Sequence, residues 1–420
     1  MAGASIRPLA LVSDAGGRIY ERPDLLMLCR RGRELALPRP DELMPLPEGS
    51  ELFLLPGRRA LGLDPDSGQV EAAEELAVAA FAAPAHTLTA HPAYLGAPGA
   101  PLLPLFAYGA AGYHKGRIYV CARKVDDDPR QVFSGISAQK LRRSALETAG
   151  RFPDNRLVQQ LTRTCALVYA CPAARNFCLG RYEAPLPVSR SCNARCAACI
   201  SQREKDSKLC ATPQSRLEFT PSAQELLEVM RLHEGRAERP IYSFGQGCEG
   251  EPLTESDLIC ESVARFRAEG GRGTVNLNTN ASMPDKIARL HAAGISSMRV
   301  SLNSARPEAY ALYHRPVNFS FEEVLQSIAE AKGRGLFVSF NLLFFPGFSD
   351  TELETEALLE LAEKTGVDCI QLRNLNIDPE YYLDLLKTVE TGPALGFAAF
   401  KKRLLRACPG LKLGYFNPVV

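Results

Sequence analysis

The sequence lacks both an excess of charge and a long apolar run. Its 49 basic and 48 acidic residues leave a formal net charge of +1, so the composition predicts no broad electrostatic field for nucleic acid or a membrane surface. No segment approaches the roughly 20 consecutive apolar residues of a membrane-spanning helix. The N-terminal stretch MAGASIRPLALVSDAGG also lacks the charged and apolar regions of a signal peptide. We therefore expect a cytoplasmic protein that does not bind a membrane and for which nucleic acid is a disfavoured partner.

The sequence also lacks an even number of cysteines, and it lacks histidines with the spacing of metal ligands. The 13 cysteines are an odd number spread along 420 residues, which favours reduced thiols and metal ligation over a secreted disulfide framework. The six histidines show no ligand-like spacing. His314, in the segment LYHRP, is the one nearest to a segment of functional interest, and we expect it to be structural.

Composition and periodicity divide the chain into four regions. Residues 1–130 contain short apolar segments bounded by Gly, Pro and Asp, which predicts a smaller, strand-rich N-terminal domain of unknown role. Within it, the Pro-, Gly- and Ala-rich stretch 82–104 predicts a long surface connection. Residues 131–184 predict a helical, cysteine-containing connector, 185–380 alternate between strands and helices, and 381–420 predict a C-terminal helical extension.

The third region has the pattern of a parallel α/β fold. Its predicted strands are 184–191, 240–245, 273–280, 296–303, 336–345 and 368–376. Strands that alternate with helices pair in parallel through right-handed crossovers. Because six units are fewer than the eight of a closed barrel, we expect an open, partial (β/α)6 TIM-like barrel with its reactive residues on the loops after the strands.

Several residues mark the starts of the helices in this barrel. Proline suits the first helical position, and a Ser with a Glu three residues later suits a capping box. The proline signals are Pro221 and Pro284, and the capping-box signals are Ser320 with Glu323 and Ser349 with Glu352.

Three cysteines are concentrated in SRSCNARCAACISQRE, residues 189–204, directly after the first predicted barrel strand. Cys192, Cys196 and Cys199 have the spacing Cys-x3-Cys-x2-Cys. Three thiolates can hold three irons of a [4Fe–4S] cluster and leave the fourth iron with an open coordination position. A zinc site is the alternative, with Cys210 or Cys178 as the fourth ligand.

This cysteine segment resembles the signature of the radical S-adenosylmethionine (radical SAM) superfamily. The resemblance implies a barrel of radical SAM type over residues 185–380, and a [4Fe–4S] cluster on the three cysteines. It also implies that S-adenosylmethionine, bound to the open iron, is cleaved reductively to methionine and a 5′-deoxyadenosyl radical that abstracts hydrogen from a substrate. Such enzymes take their electron from a donor such as flavodoxin or ferredoxin. Members usually have an aromatic residue before the third cysteine, where this chain has Ala198, and the backbone there would approach the adenine.

Two further segments resemble cofactor-binding motifs of the same superfamily. Gly250-Glu251-Pro252 resembles its Gly-Gly-Glu motif, which implies that Gly250 lets the backbone approach the methionyl group and that Glu251 binds its amino group. An ordinary helix start is the alternative for this segment. RVSLNS, at the end of the fourth strand, implies that Ser301 and Asn303 contact the ribose, unless they only begin the next turn.

Other polar residues also fall at predicted strand ends. NLLFFPGFSD, after the fifth strand, resembles the stretch that packs against adenine. Asn280 ends the third strand and is a candidate cofactor-binding residue. Arg373 ends the sixth strand, where it could pair with a carboxylate of the cofactor or substrate, or with a neighbouring acid.

Cysteines outside the triplet allow two more predictions. Cys165, Cys171 and Cys178 could hold an auxiliary iron–sulfur cluster, although their spacings of five and six are wide for one. Cys248, close to Glu251, is a candidate catalytic hydrogen donor or thiyl site, with an inert loop thiol as the alternative.

Together, these patterns predict an oxygen-sensitive radical SAM enzyme that acts on a small-molecule or peptide substrate. A non-catalytic iron–sulfur or zinc module is one alternative, and the conjunction of motifs at strand ends argues against it. A radical SAM enzyme that modifies RNA is the other, and the neutral net charge argues against it.

Overall fold

The N-terminal region of the computed structural model, which describes residues 6–203 and 211–420, is built from antiparallel strands. The strands are β1 (Leu9–Ser13), β2 (Ile19–Met27), β3 (Cys29–Arg31), β4 (Glu34–Ala36), β5 (Leu43–Pro45), β6 (Glu51–Leu63), β7 (Val70–Phe81), β8 (His86–Leu88), β9 (His91–Pro92), β10 (Tyr94–Gly96), β11 (Gly109–His114) and β12 (Arg117–Lys124). The main sheet has the order β10-β6-β2-β1-β7-β11-β12-β5, with β8 beside β12, while β4, β3 and β9 form a small separate sheet. The expected strand-rich N-terminal region is confirmed.

The expectation that residues 82–104 form a surface connection throughout is wrong. This stretch contains β8, β9 and β10, and most of its residues are buried. The amide N–H of Leu88 donates to Asn374 Oδ1 at 2.8 Å, and the amide N–H of Leu103 donates to Asp378 Oδ2 at 2.8 Å. The stretch is therefore part of the contact between the N-terminal sheet and the barrel, while residues 95–99, Pro101 and Pro104 are exposed.

Helices connect the two sheets. They are α1 (Ala138–Arg151), α2 (Arg156–Gln159), which continues into a π-helical stretch (Gln160–Ala166), and α3 (Pro172–Leu179). Gly180 ends α3 in the left-handed conformation, with φ of 65°, a region that glycine enters without a Cβ penalty.

The barrel is a sheet of parallel strands in chain order. They are β13 (Glu183–Pro185), β14 (Ile241–Phe244), β15 (Thr274–Thr279), β16 (Ser297–Leu302), β17 (Phe337–Phe344), β18 (Cys369–Asn374) and β19 (Lys412–Gly414). Each of the six predicted segments overlaps one of the first six strands, so the expected α/β partial barrel is confirmed. In the described part of the chain, the C-terminal segment adds a seventh parallel strand, β19, which was not predicted.

Helices cover the outside of this sheet. They are α4 (Ala223–Glu234), α5 (Ser256–Ala268), α6 (Pro284–Ala293), α7 (Pro307–His314), α8 (Phe321–Gly333), α9 (Glu352–Thr365), α10 (Pro379–Leu385) and α11 (Phe397–Ala407), with a 3₁₀ turn (Pro252–Glu255) before α5. Among the described residues, no helix is long and apolar enough to span a membrane.

Two of the predicted helix starts are confirmed. Pro284 opens α6, and Ser320 forms a capping box with Glu323 at the start of α8. The other two are wrong. Pro221 does not open α4, because Ser222 caps that helix in a box with Glu225. Ser349 does not cap α9, because that helix begins at Glu352 after Thr351, whose side chain makes no capping bond. The Ser349 hydroxyl instead accepts a hydrogen bond from the amide of Phe345 at 2.9 Å.

The two faces of each barrel strand differ in polarity. On β16, Val300 and Leu302 join the apolar core beneath the helices, whereas the alternate residues Arg299 and Ser301 face the interior of the barrel. The same alternation on the other strands lines the interior with polar groups. The C-terminal tail enters this interior, where the Asn417 amide donates to Glu183 at 3.1 Å and to Ser243 at 3.3 Å.

Candidate active site

The cysteine triplet lies on a loop that follows β13 at the C-terminal end of the barrel. The amide of Ala197 donates to the carbonyl of Tyr313 at 2.8 Å, and the amide of Val317 donates to the carbonyl of Asn193 at 2.8 Å. These bonds tie the loop to the end of α7 and to the segment after it. The backbone that carries the cysteines is therefore held in place by a neighbouring strand–helix unit.

The three thiols lie within electrostatic reach of one another. Cys192, Cys196 and Cys199 are all half-buried. Burial raises the pKa of Cys192 to about 11, and the nearby Glu251 carboxylate adds to this rise. Burial also raises the pKa of Cys196, with further contributions from Cys192 and Cys199.

Cys199 differs from the other two thiols because its surroundings favour the thiolate. Burial raises its pKa, but hydrogen bonds from the backbone N–H groups of Ser201 and Gln202, followed by the charge of Arg216, outweigh burial and lower the pKa overall. The Arg216 guanidinium lies 3.5 Å from Cys199 Sγ. Thiolates are the form that binds metal, so this corner of the triplet is the most prepared for ligation.

The donor set fits an iron–sulfur cluster in its chemistry. Three soft thiols on one short, fixed loop suit such a cluster, and binding would release their protons. Within residues 6–203 and 211–420, however, no three His, Cys, Asp or Glu side chains converge closely enough to form a metal site on their own. The metal ligands Cys192, Cys196 and Cys199 therefore stay a prediction.

The zinc alternative required a fourth cysteine. Cys178 is fully buried in the core of the connector, and burial raises its pKa to about 12. Cys210 lies outside the described residues.

His314, at the end of α7, is beside the triplet. Its Nδ1 lies 3.5 Å from Cys196 Sγ, and its ring stacks on Tyr310 with the centroids 4.2 Å apart. Burial lowers the pKa of His314 to about 3, so the imidazole is neutral at ordinary pH. A neutral ring whose Nδ1 carries the proton can donate to a thiolate at Cys196.

The Gly250-Glu251 segment packs directly against the chain that leads into the triplet. The Gly250 amide donates to Ser189 O and the Glu251 amide donates to Ser191 O, both at 2.8 Å. A Cβ on Gly250 would lie 1.8 Å from Ser191 O, so no larger residue fits. The glycine requirement here comes from this close approach of two loops.

Glu251 is fully enclosed and accepts several hydrogen bonds. Its carboxylate accepts from the Thr279 hydroxyl and from the backbone amides of Asn280 at 2.8 Å and Leu253 at 3.1 Å. Burial raises its pKa to about 7. The carboxylate caps the 3₁₀ turn, which is what the alternative of an ordinary helix start predicts. It also lies within electrostatic reach of Cys192.

Sequence reasoning missed the neighbouring Glu249. Its buried carboxylate accepts four backbone N–H bonds, from Val188, Ser189, Gly245 and Gln246, at 2.6 to 2.9 Å. Burial raises its pKa to about 7. Glu249 thereby joins the ends of β13 and β14, and no local sequence signal indicates its two distant partners, Val188 and Ser189.

Asn280 links a third loop to the cysteines. Its Nδ2 donates to Asn193 Oδ1 at 2.8 Å, and Asn193 in turn donates to the Ser282 hydroxyl at 2.8 Å. Asn280 is thus placed where it positions the triplet loop.

The predicted ribose residues occupy two different environments. Ser301 is half-buried in the barrel interior, where its hydroxyl lies 3.5 Å from Asn341 Nδ2. Asn303 is fully buried, and its Nδ2 donates to Ala309 O and to the Tyr382 hydroxyl, both at 3.2 Å. Its Oδ1 is buried without a partner in the described structure.

Ala198 and Arg373 have different surroundings. Ala198 is buried in an apolar cluster that also contains Phe345 and Phe348, which belong to the predicted adenine-packing stretch. Arg373 is half-buried, donates to Tyr415 O at 3.1 Å and lies over the Tyr415 ring at 4.2 Å.

The other cysteines with a predicted role lie in the helical connector or contact it. The thiols of Cys248 and Cys165 interact directly, and this contact, followed by burial, raises the pKa of Cys248. Burial raises the pKa of Cys171 to about 11. The auxiliary cluster on Cys165, Cys171 and Cys178 and the catalytic role of Cys248 stay predictions.

Comparison with known families identifies the barrel region. Residues 186–359 match the family model described as the Radical SAM superfamily. This range includes the cysteine loop and the strands β14 to β17.

Named relatives cover the same part of the chain. The GTP 3′,8-cyclase of Paenarthrobacter nicotinovorans is 27% identical over 205 residues, which are 47% of this chain and 52% of the relative. The GTP 3′,8-cyclase of Aquifex aeolicus is 30% identical over 182 residues, which are 42% of this chain and 53% of the relative. The chain spans about half the length of the curated relatives it matches. Among solved structures, the [FeFe]-hydrogenase maturase HydG is 17% identical with a TM-score of 0.40, covering 66% of this chain and 67% of that one.

Proposed function

We propose that this chain, which belongs to the radical SAM superfamily and is an enzyme of the radical SAM type, holds a [4Fe–4S] cluster on Cys192, Cys196 and Cys199. When bound, the cluster and S-adenosylmethionine supply a 5′-deoxyadenosyl radical by reductive cleavage of the sulfonium. We propose that the enzyme directs this radical to hydrogen abstraction from a small-molecule or peptide substrate. The observation that carries the proposal is the three-thiol loop, fixed by backbone bonds at the mouth of the barrel and with Arg216 beside Cys199.

In this proposal, the loops around the triplet position the cofactor. The buried Glu251 carboxylate is suited to the amino group of the methionyl part, because a cation nearby would stabilise its charged form. Gly250 keeps the backbone close enough to the Ser191 carbonyl for the two loops to meet. The backbone at Ala198, in the same apolar cluster as Phe345 and Phe348, is proposed to contact the adenine ring.

The remaining cofactor residues have supporting roles in the proposal. Ser301 faces the interior and is placed for a ribose hydroxyl, whereas Asn303 acts through its backbone or through the Tyr382 contact that fixes it. Asn280 positions the triplet loop through Asn193.

The electron is proposed to come from a small redox protein such as flavodoxin or ferredoxin. We also place the enzyme in the reducing cytoplasm, since the described cysteines are free thiols. The named relatives act on GTP according to their names, so GTP belongs among the substrates to be tested, although the chain covers only about half of their length.

Anaerobic reconstitution tests this proposal. The wild-type protein should turn brown, bleach on reduction with dithionite and release 5′-deoxyadenosine from S-adenosylmethionine, as measured by mass spectrometry. Cys196→Ala should lose both properties, whereas Cys260→Ala, on the outer helix α5, should keep both. Colourless wild-type protein with one zinc per chain would contradict the proposal.

A further inference from the structure

The interior side chains of the barrel differ in accessibility. Ser243, Asn276 and Gln371 are fully buried; Ser243 and Gln371 are hydrogen-bonded to Asn417, and Asn276 is hydrogen-bonded to Asn278. Other interior residues keep accessible surface. These are Arg299, Ser301, Asn341, Leu343 and Arg373. Because these side chains lie on the inner face of their strands, their accessible surface faces space inside the barrel, which we call the interior cavity.

Arg299 is one of two charged residues among these accessible interior residues. It sits on β16 between the core residues Met298 and Val300 and therefore points away from the core into the interior. Its guanidinium donates across the barrel to Gln371 Oε1 at 3.3 Å, and its Nε is buried without a partner in the described structure. Burial, followed by repulsion from Arg373, lowers the pKa of Arg299 to about 9.

Arg373 brings a second guanidinium to the same cavity. It lies on β18 next to Leu372, which faces the core, so its side chain also points inward. Its hydrogen bond goes to the neutral carbonyl of Tyr415, and the Tyr415 ring supports its flat face. The bond that Arg299 makes with Gln371 is likewise to a neutral group.

The acid nearest to this pair is already engaged. Glu183 is the carboxylate that acts on Arg299 electrostatically. It accepts hydrogen bonds from the Ser243 hydroxyl and from Asn417 Nδ2, and it also acts on Arg130. The acid that acts on Arg299 is thus bound elsewhere, and the hydrogen bond of Arg373 goes to a neutral carbonyl, which leaves the cavity positively charged.

We propose that Arg299 and Arg373 form an oxyanion-binding subsite inside the barrel, and that the substrate carries a carboxylate or phosphate group which they bind. The fork of an arginine matches either anion in two parallel hydrogen bonds, and the orphan Nε of Arg299 is one such donor. This inference rests on the proposed function, because it names the class of substrate delivered to the interior cavity. Keeping two like charges close together in a buried cavity is costly, and an anionic ligand offsets that cost.

Anaerobic titration calorimetry on the cluster-loaded protein tests the subsite with three probes, inorganic phosphate, pyrophosphate and succinate. Each titration is made with and without saturating S-adenosylmethionine. Wild-type protein should bind at least one probe in both conditions. Arg299→Gln and Arg373→Gln should each raise the Kd at least tenfold, and Arg299→Lys, which keeps the charge without the fork, should fall between. Arg289→Gln is the matched control, because Arg289 lies on the outer surface of α6 in an exposed ion pair.

The outcomes separate the sources of the anion. Binding of the phosphates alone indicates a phosphorylated substrate, and binding of succinate alone indicates a carboxylated one. The proposal is overturned if wild type binds no probe, if the Gln variants bind within twofold of wild type, or if S-adenosylmethionine abolishes binding, since its own carboxylate would then be the anion. If Arg299→Gln does not fold by circular dichroism, Arg373→Gln decides the test.

Failure of the subsite and failure of the proposed function give different results. If anion binding depends on the arginines but no 5′-deoxyadenosine is released, the proposed radical function is contradicted and the anion subsite is supported. If 5′-deoxyadenosine is released but anion binding does not depend on either arginine, the radical function is supported and the subsite is contradicted.

Discussion

At the residue scale, two buried glutamates on one loop have different partners. Glu249 accepts only backbone N–H groups and joins two strand ends. Glu251 accepts from the loop after β15 and also lies within electrostatic reach of Cys192. Both have a pKa raised to about 7 by burial, so burial alone does not distinguish a structural carboxylate from a cofactor ligand. The difference lies in what each faces.

Glu251→Gln should weaken binding of S-adenosylmethionine about tenfold, because the variant replaces a charge-assisted contact to the ammonium by a neutral one. Equilibrium binding on the reconstituted protein measures this, and the visible absorbance of the cluster shows that the loop is intact. Glu255→Gln, at the end of the same 3₁₀ turn, is the control. Unchanged affinity in Glu251→Gln would leave Glu251 only its role as a cap.

A buried histidine predicts how stability responds to acid. His91 Nδ1 donates to Tyr108 O at 2.8 Å, its Nε2 is buried without a partner in the described structure, and burial lowers its pKa to about 4. Because the folded-state pKa lies below the ordinary value of about 6.5, the contribution to stability is complete above pH 6.5 and is lost as the pH falls toward 4.

His91→Gln should therefore reduce the loss of unfolding free energy between pH 7 and pH 5 by about 2 kcal/mol relative to wild type. Urea denaturation at the two pH values measures it. His114→Gln, at a more accessible position on β11, should follow the wild-type curve. Parallel losses in all three proteins would mean that His91 is not buried in its neutral form.

At the element scale, the site depends on loops that pair with one another. The chain before Cys192 pairs through Ser189 and Ser191 with the segment after β14, and the loop itself is joined to the end of α7. Three separate β/α units thus fix one loop, and the position of the thiols depends on all of them.

Gly250→Ala should disrupt this pairing, because its Cβ would meet Ser191 O at 1.8 Å. We expect a loss of at least about 3 kcal/mol of unfolding free energy and reduced iron content after reconstitution, measured by urea denaturation and iron analysis. Gly150→Ala, in α1 with nothing within 4 Å of the added Cβ, should be neutral or stabilising by up to about 1 kcal/mol. Equal effects of the two changes would mean that the loops do not approach closely.

At the scale of the whole molecule, the N-terminal sheet packs on the ends of the barrel strands. The amide of Gly32 donates to Pro346 O at 3.0 Å, and the Thr87 hydroxyl donates to Leu372 O at 2.6 Å. The buried pair Arg58–Asp378 joins the same two regions. The sheet therefore covers the side of the barrel mouth formed by β17 and β18.

Arg58→Met should cost about 3–5 kcal/mol of unfolding free energy, because it leaves the Asp378 carboxylate buried without its cation. Arg33→Met, which removes the exposed pair with Asp384, should cost less than about 1 kcal/mol. Chemical denaturation of both variants measures the difference. A small effect of Arg58→Met would show that the two regions do not depend on this contact.

The sequence predicted the barrel well because its strands are short, mostly buried segments bounded by turn residues. Segments such as 273–280 and 336–345 therefore gave a clear pattern. The helix starts at Pro284 and Ser320 were predictable because each signal involves only residues within three positions in the sequence. The three residues of β19 are too few to give a pattern. Residues 82–104 looked like a surface connection because their prolines and glycines conceal short strands that are stabilised by distant contacts.

The candidate site was predictable in its location but not in its support. The spacing of the cysteines and the placement of Glu251 and Arg373 at strand ends are visible in the sequence. The bonds of Glu249 to Val188 and Ser189, the thiol contact of Cys248 with Cys165, and the surroundings of Arg299 within the barrel all depend on residues far apart in the chain. Ser349 shows the same limit, since its hydroxyl serves the turn at Phe345 instead of the next helix.

The central claim is that three thiolates hold a cluster with one iron open to S-adenosylmethionine, and electron paramagnetic resonance tests it most directly. The account predicts that dithionite-reduced wild-type protein gives a [4Fe–4S]⁺ signal whose g-values shift when S-adenosylmethionine is added. It also predicts that Cys196→Ala gives no such signal. A signal in wild-type protein that S-adenosylmethionine leaves unchanged would contradict the account, because every iron would then be closed by the protein.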